Sequence, residues 1–182
     1  MQYTSGTTGF PKGVMLTHYN VVNDGKCIGD RMDLSTADRM MIQVPMFHCF
    51  GMVLSMTSCM THGATLCPMP YFSAKVSLAC INQERITCFN GVPTMFIAMF
   101  NHPDYKKTDF SYMRTGIMAG SLCPVELMKQ VEEKMFMRVT SVYGLTETSP
   151  GMTHSRIDDP AEVRYNTVGR DYEFTEVLSL IH

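Results

Sequence analysis

Apolar and polar residues follow one another along this chain in short blocks that proline and glycine separate. Short apolar or β-branched runs predict buried strands, and apolar residues recurring every three or four positions predict helices that bury one face. The predicted strands are 1–4, 40–44, 64–67, 86–89, 113–118 and 139–143. The predicted helices are 18–31, 50–60, 73–83, one that begins at Pro93 and one that begins at Pro124.

Several predicted helix ends carry their own signals. Thr17 is a suitable N-cap for the first helix, because its hydroxyl can accept a hydrogen bond from a backbone N–H of the first turn. Ser73 is a candidate cap of the same kind. Gly63 suits the end of the helix 50–60, since glycine readily adopts the left-handed conformation found there.

Strand and helix alternate along most of the chain with short connections. This order predicts an α/β fold with a largely parallel sheet. In such a sheet the ligand site lies beyond the carboxyl ends of the strands. The polar segment 101–111 is predicted to be a surface connection. The connections that follow strands, and that are expected to carry function, are 4–12, 45–51, 90–94, 119–124 and 144–149.

Composition narrows the classes of protein. The 182 residues suffice for one domain with a substantial core. Fifteen basic residues nearly balance 17 acidic ones without a basic run, so we expect no nucleic-acid partner. Seven cysteines, with no C-x-x-C pair, predict a reduced, cytoplasmic protein. The 18 methionines fit an irregular core or an apolar ligand channel, and the core is the preferred interpretation for any single one.

Residues 40–74 carry no Asp, Glu, Lys or Arg, a pattern that first suggests a membrane segment. Pro45, Gly51, Gly63, Pro68 and Pro70 interrupt it, so no run of about 18 apolar residues exists there. We therefore predict buried strands and a buried helix, and no transmembrane segment. Residues 2–9 are polar and lack the form of a signal peptide.

A glycine- and threonine-rich stretch near the start is the first candidate for chemistry. Its backbone N–H groups, hydroxyls and one ammonium can be offered to a polyphosphate. A helix is expected directly after it, whose dipole would add to the field. The spacing is not that of the usual P-loop, and a flexible loop without function is the alternative. The residues are Thr4, Ser5, Gly6, Thr7, Thr8, Gly9, Phe10, Pro11 and Lys12.

A second candidate stretch, 141–148, follows the last predicted strand. Tyr143 can stack on a base, and Gly144 allows a sharp turn. Thr146 can donate to a phosphate oxygen, and Glu147 offers a carboxylate to a hard divalent cation. The alternative is an ordinary capped turn with an exposed acid.

Together the two stretches closely resemble the adenylate-forming superfamily, which includes acyl-CoA synthetases, luciferases and peptide-synthetase adenylation domains. Their order and separation also match that superfamily. Three weaker matches agree: 45–51 resembles the segment with an aromatic gate beside the acyl site, 90–94 a turn along the acyl pocket, and 119–124 a segment packed on adenine. The resemblance covers roughly 1–170 and is greatest to medium- and long-chain acyl-CoA synthetases.

The resemblance implies an enzyme that uses ATP and Mg²⁺ to convert a carboxylic acid, here a fatty acid, into an acyl-adenylate and then a coenzyme A thioester. It implies that residues 4–12 hold the phosphates, with Lys12, Thr146 and Glu147 as catalytic residues. Glu147, with Thr4, would hold Mg²⁺. Tyr143 would stack on adenine, with Gly120, Ser121 and Ser141 near its edge, and Gly144 belongs to the same cofactor-binding set. The acyl group would meet His48, Gly91 and Val92.

The resemblance also implies a domain organisation. Residues 1–170 correspond to the central part of the large AMP-binding domain, and 171–182 to an atypical tail. The small C-terminal domain is absent, so this chain alone is expected to turn over poorly or not at all. Two alternatives remain: a nucleotide-binding module without catalysis, and an inactive truncation.

Overall fold

The computed structural model describes residues 1–5, 9–173 and 175–178. Nine strands form two sheets, a hairpin and a larger sheet, among these residues. The strands are β1 (Gln2–Thr4), β2 (Lys12–Val14), β3 (Arg39–Ile42), β4 (Thr65–Pro68), β5 (Cys88–Phe89), β6 (Thr115–Met118), β7 (Arg138–Gly144), β8 (Gly151–His154) and β9 (Arg170–Asp171). The α-helices are α1 (His18–Arg31), α2 (Ser58–His62), α3 (Ala74–Glu84), α4 (Pro93–Phe100), α5 (Val125–Met135) and α6 (Ala161–Asn166).

The larger sheet has seven strands in the order β4-β3-β5-β6-β7-β8-β9. The pairs from β4 to β7 are parallel, and β7–β8 and β8–β9 are antiparallel. The predicted α/β class with a largely parallel sheet is confirmed. The antiparallel edge, together with α6, was not predicted from the sequence.

Successive side chains of each strand point to opposite faces of the sheet. Both faces carry apolar residues, and helices cover both. Met41, Phe89 and Met118 point into a core shared with α3, α4 and α5. Met40 and Ile117 point into the opposite core, which includes α1. Eight fully buried methionines fill these two cores, as the preferred interpretation expected. They are Met32, Met40, Met41, Met99, Met118, Met128, Met135 and Met137.

The prediction of a helix directly after the glycine–threonine stretch is wrong. Lys12–Val14 is a strand that pairs antiparallel with Gln2–Thr4, with Thr4 opposite Lys12. The extended backbone from Lys12 satisfies its N–H and C=O groups against β1 and so cannot begin a helix there. Helix α1 starts only at His18, where the Thr17 hydroxyl accepts the Asn20 N–H at 3.1 Å, as predicted.

The predicted helix 50–60 has two parts. Phe50–Thr57 is π-helical, and α2 continues from it to His62. Gly63 ends the helix with a left-handed φ of 67°, as predicted. The Ser73 side chain makes no capping hydrogen bond, which corrects its predicted role, although α3 begins directly after it. Across the described part of the chain, no helix has the length and apolar character needed to span a membrane.

Candidate active site

Four connections meet beyond the carboxyl ends of the central strands. They enclose a cavity of about 420 Å³. The residues around it come from β1 and β2, from the connections after β3 and β6, and from the end of β7 with the turn that follows. They are Thr4, Ser5, Lys12, His48, Cys49, Phe50, Leu54, Ala119, Gly120, Val142, Gly144, Leu145, Thr146, Glu147, Pro150 and Gly151.

The β1–β2 hairpin brings both ends of the glycine–threonine stretch to this cavity. The Thr4 hydroxyl lies 3.5 Å from the carbonyl oxygen of Lys12, its partner in the strand register. Gly9, Phe10 and Pro11 are exposed and are not among the described lining residues. Gly6, Thr7 and Thr8 lie outside the described residues, so their predicted phosphate contacts stay predictions.

The turn between β7 and β8 carries Thr146 and Glu147 into the cavity. Thr148 shapes this turn, because its hydroxyl accepts the Leu145 N–H at 3.0 Å and lies 2.7 Å from the carbonyl oxygen of Pro150. A short 3₁₀ turn, Thr146–Thr148, results. Thr146 and Glu147 thereby face the same cavity as Thr4 and Lys12. Their roles toward phosphate and metal stay predictions.

The connection after β3 contributes His48 and Cys49. The His48 Nδ1 accepts the Phe50 N–H at 3.1 Å, which fixes the ring at the start of the π-helical segment. The Cys49 sulfur lies 3.7 Å from the Thr146 hydroxyl. Burial raises the pKa of this thiol above its ordinary value. From the sequence, Cys49 lay within the segment 45–51 expected beside the acyl site but was given no role of its own.

Glycines 144 and 120 are required by close approaches at the cavity. A Cβ on Gly144 would lie 1.7 Å from the carbonyl oxygen of Pro150, which no side chain tolerates. Gly120 has a left-handed φ of 84°, and its Cβ would lie 3.1 Å from a Val92 methyl. Val92 therefore sits directly beside the cavity wall, and buried Gly91 bonds from its N–H to the Ile117 carbonyl at 2.9 Å.

Five predicted ligand contacts, apart from those in the glycine–threonine stretch, are not among the described residues that line the cavity. Ser121 is exposed, and Tyr143 is 48% exposed on β7 opposite Thr153. Ser141 is buried, with its backbone N–H donated to the Ser155 hydroxyl at 2.9 Å. Gly91 and Val92 are not among the lining residues either. The predicted contacts of these residues with adenine or an acyl group stay predictions.

The donor set fits a magnesium ion that is shared with a ligand. Mg²⁺ is usually bound by one or two carboxylates together with substrate phosphates and water. Glu147 supplies a carboxylate and Thr4 a hydroxyl around one cavity. The described residues contain no cluster of three His, Cys, Asp or Glu side chains able to hold a metal by themselves. The site therefore suits a metal that arrives with phosphate.

A buried polar cluster behind the turn was missed in the sequence. The Gly151 N–H donates to the Asp24 carboxylate at 2.9 Å, and the Tyr172 hydroxyl lies 3.1 Å from His154 Nδ1. Burial raises the pKa of Asp24 to about 7, although the Gly151 N–H lowers it. Burial lowers the pKa of His154 to about 3. The available signal was an acid, Asp24, three residues after Val21 on the apolar stripe of α1.

Comparison with known proteins gives the family. The model of the family described as "AMP-binding enzyme" matches residues 1–178. The chain therefore belongs to the AMP-binding enzyme family, and the resemblance seen in the sequence is confirmed.

Two curated relatives share much of this sequence. A putative acyl-CoA synthetase, YngI, of Bacillus subtilis is 52% identical over 178 residues, which is 97% of this chain and 32% of the relative. The mitochondrial medium-chain acyl-CoA ligase ACSF2 of Rattus norvegicus is 41% identical over 182 residues, again 97% of this chain and 30% of the relative. The chain thus spans about a third of the length of these relatives.

Solved structures agree with the fold. The inhibitor-bound N-terminal domain of FACL13 from Mycobacterium tuberculosis superposes with a TM-score of 0.83 at 30% identity, covering 95% of this chain and 43% of that one. ATP-bound MatB from Rhodopseudomonas palustris superposes with a TM-score of 0.77 at 25% identity, covering 88% of this chain and 31% of that one. The fold is that of the N-terminal domains of adenylate-forming enzymes.

Proposed function

We propose that this chain supplies the nucleotide-binding part of an AMP-forming acyl-CoA synthetase that acts on a medium- or long-chain fatty acid. One observation carries the proposal: Thr4 and Lys12 face the same cavity as Thr146 and Glu147. The names of the curated relatives support the reaction class. Because the chain spans about a third of those relatives, the whole reaction is assigned to the protein of which it forms part.

In the proposed reaction, a fatty-acid carboxylate oxygen attacks the α-phosphorus of ATP. The bond to the bridging oxygen breaks, pyrophosphate leaves, and an acyl-adenylate remains. A thiol, that of coenzyme A, then attacks the acyl carbon, and AMP leaves as the thioester forms. The site must therefore spread and neutralise phosphate charge while it aligns the attack.

The residues divide this work. The Lys12 ammonium and the Thr4 and Ser5 hydroxyls bind the phosphate oxygens, with Gly6 to Pro11 assigned to the same loop. Thr146 donates to the α-phosphate. Glu147, with Thr4, holds Mg²⁺, which when bound adds positive charge beside the phosphates.

The organic ends of the substrates are assigned to the other connections. Tyr143 is proposed to stack on adenine, with Gly120, Ser121 and Ser141 near its edge, and Gly144 allows the turn that follows. His48, Gly91 and Val92 are proposed to border the acyl group. Three further points stay proposals: a cytoplasmic location, an atypical tail from residue 171 and the need for a further domain. The name of the rat relative places that protein in mitochondria.

The first experiment measures nucleotide binding by this chain. Isothermal titration calorimetry with MgATP, and with adenosine as the phosphate-free comparison, should show binding that depends on the phosphates. No heat and no thermal stabilisation by MgATP would contradict the proposal.

The second experiment measures turnover by a protein of the relatives' length that contains this chain. Pyrophosphate release with ATP should require octanoate or palmitate, and the thioester should form only after coenzyme A is added. If the protein binds MgATP but releases no pyrophosphate from it with any fatty acid present, the nucleotide-binding module would be favoured instead.

A further inference from the structure

Helix α1 reaches the turn that carries Thr146 and Glu147 through one buried carboxylate. Asp24 lies on the inner stripe of α1 with Ile28, and both are buried. Its Oδ2 accepts the Gly151 N–H at 2.9 Å, across 127 positions of sequence. Asp24 is not among the described residues that line the cavity, whereas Gly151 is.

Gly151 needs this partner because the strand ladder is irregular where it lies. Gly144 of β7 opposes Gly151, but the next pair is Tyr143 with Thr153, so the register shifts between them. The Gly151 N–H is donated to Asp24 at this shift. A buried N–H without an acceptor is unfavourable, so the carboxylate fixes the chain here.

The space around Gly151 fixes its position further. A Cβ there would lie 2.6 Å from Cε2 of Tyr172 and 2.9 Å from the Asp24 Oδ1. Gly151 is therefore enclosed between α1 and the segment that follows β9. Since the Thr148 hydroxyl closes the turn onto the Pro150 carbonyl, a shift at Gly151 is transmitted to the whole turn.

We propose that Asp24 is a positioning residue, which holds Thr146 and Glu147 in register with the Thr4–Lys12 loop. The helix that carries Asp24 follows that loop in the chain and also bonds β8 through Arg31 and the His154 carbonyl at 3.1 Å, but the Asp24 bond lies nearer the turn that carries Thr146 and Glu147. This inference rests on the proposed function for what the site binds. Asp24 itself touches neither the nucleotide nor the metal.

The test uses three variants of this chain. Asp24→Ala removes the acceptor, and Asp24→Asn keeps a carbonyl oxygen in the same place. Asp30→Ala is the matched control, because Asp30 lies on the same helix but pairs at the surface with Lys26 and His62. Binding of MgATP and of adenosine is measured by calorimetry, at a temperature well below the thermal unfolding midpoint of each variant.

The Asp24→Ala variant should bind MgATP about tenfold more weakly, while adenosine binding stays the same, because the displaced turn serves the phosphates and metal. Asp24→Asn should recover most of the affinity, and Asp30→Ala should match the wild type. Equal MgATP affinity in Asp24→Ala and wild type would overturn the inference. So would equal losses for MgATP and adenosine, which indicate general destabilisation.

A wild-type chain that binds no nucleotide would refute the proposed function rather than the anchoring of the turn. Hydrogen exchange of the Gly151 amide tests the anchoring without any ligand. This amide should exchange at least about tenfold faster in Asp24→Ala than in Asp24→Asn. Equal exchange in the two variants would show that Asp24 does not hold the turn.

Discussion

The sulfur of Cys49 lies 3.7 Å from the hydroxyl oxygen of Thr146, so the connection after β3 touches the turn after β7 inside the cavity wall. Ninety-seven positions of sequence separate the two residues. The size of the side chain at position 49 therefore controls where the Thr146 hydroxyl can sit.

Replacing Cys49 with a longer side chain should weaken nucleotide binding. In Cys49→Met, extra atoms in a buried position push against Thr146, and we expect MgATP affinity to fall about tenfold. Cys49→Ser, of similar size, should change it by less than about threefold. Cys80→Met on α3 is the control for added bulk away from the cavity. An equal loss of MgATP affinity in Cys80→Met and Cys49→Met would show that the contact of position 49 with Thr146 does not control binding.

Removing the Lys12 charge should separate phosphate binding from base binding. Lys12→Met keeps the aliphatic stem and loses the ammonium, so we expect MgATP to bind roughly ten- to a hundredfold more weakly with adenosine unaffected. Calorimetry measures both ligands. Lys129→Met is the matched control, since Lys129 pairs with Glu126 on the outer face of α5. An unchanged MgATP affinity in Lys12→Met would remove Lys12 from the phosphate site.

Adding one methyl group at Gly144 should destabilise the fold. The Cβ of Gly144→Ala would meet the Pro150 carbonyl oxygen at 1.7 Å, so the backbone of the turn must move, at a cost of about 1–3 kcal/mol. Gly9→Ala is the control, because nothing lies within 4 Å of a Cβ there. Urea unfolding of both variants measures the difference. Equal urea midpoints for Gly144→Ala and Gly9→Ala would show that the turn accommodates the added methyl group without loss of stability.

The pH dependence of stability should contain two opposed contributions. The pKa of Asp24 is about 7 in the folded state against 3.8 normally, so the folded state binds the extra proton and stability falls as pH rises through this range. The pKa of His154 is about 3 against 6.5, so the unfolded state binds the extra proton and stability rises with pH. Between about pH 4 and 6.5 the two slopes oppose each other.

Asp24→Asn should expose the histidine contribution. Without the Asp24 titration, the free energy of unfolding should rise by about 1.4 kcal/mol per pH unit between about pH 4 and 6.5, where the wild-type curve is flatter. Urea unfolding at several pH values measures both. The other titratable groups close to Asp24 are Cys27, Cys49 and Tyr172, and burial raises the pKa of each above its ordinary value. If the free energy of unfolding of Asp24→Asn and of the wild type changed with pH in parallel, the opposition between the Asp24 and His154 contributions would be refuted.

The alternating core could be predicted because its signals are local. Prolines and glycines divide the apolar runs, and Thr17 caps α1 as its side chain requires. The β1–β2 hairpin could not, since Lys12-Gly13-Val14 has no strand pattern and depends on pairing with β1. Strand β8 could not be predicted from the sequence either. It ends in buried His154, whose ring nitrogens bond the hydroxyls of Thr140 and Tyr172, and neither partner is a sequence neighbour.

The candidate site divides in the same way. Motif residues such as Lys12 and Glu147 line one cavity, and their separate motifs in the sequence were enough to bring them together in the prediction. Cys49 and Asp24 were missed. Their contacts, to Thr146 and Gly151, exist only after the sheet has assembled, and nothing in their own neighbourhood of sequence identifies the partner.

Thr4 and Lys12 face each other across the β1–β2 pair, so the seven residues 5–11 are held at both ends. Fixing the ends of a segment removes conformational freedom while the protein folds, before any anion arrives. Under the proposed function, binding a polyphosphate would then cost this segment less entropy than it would cost a chain with one free end. Under the same proposal, the backbone pairing of β1 with β2 would therefore contribute to the affinity for the nucleotide.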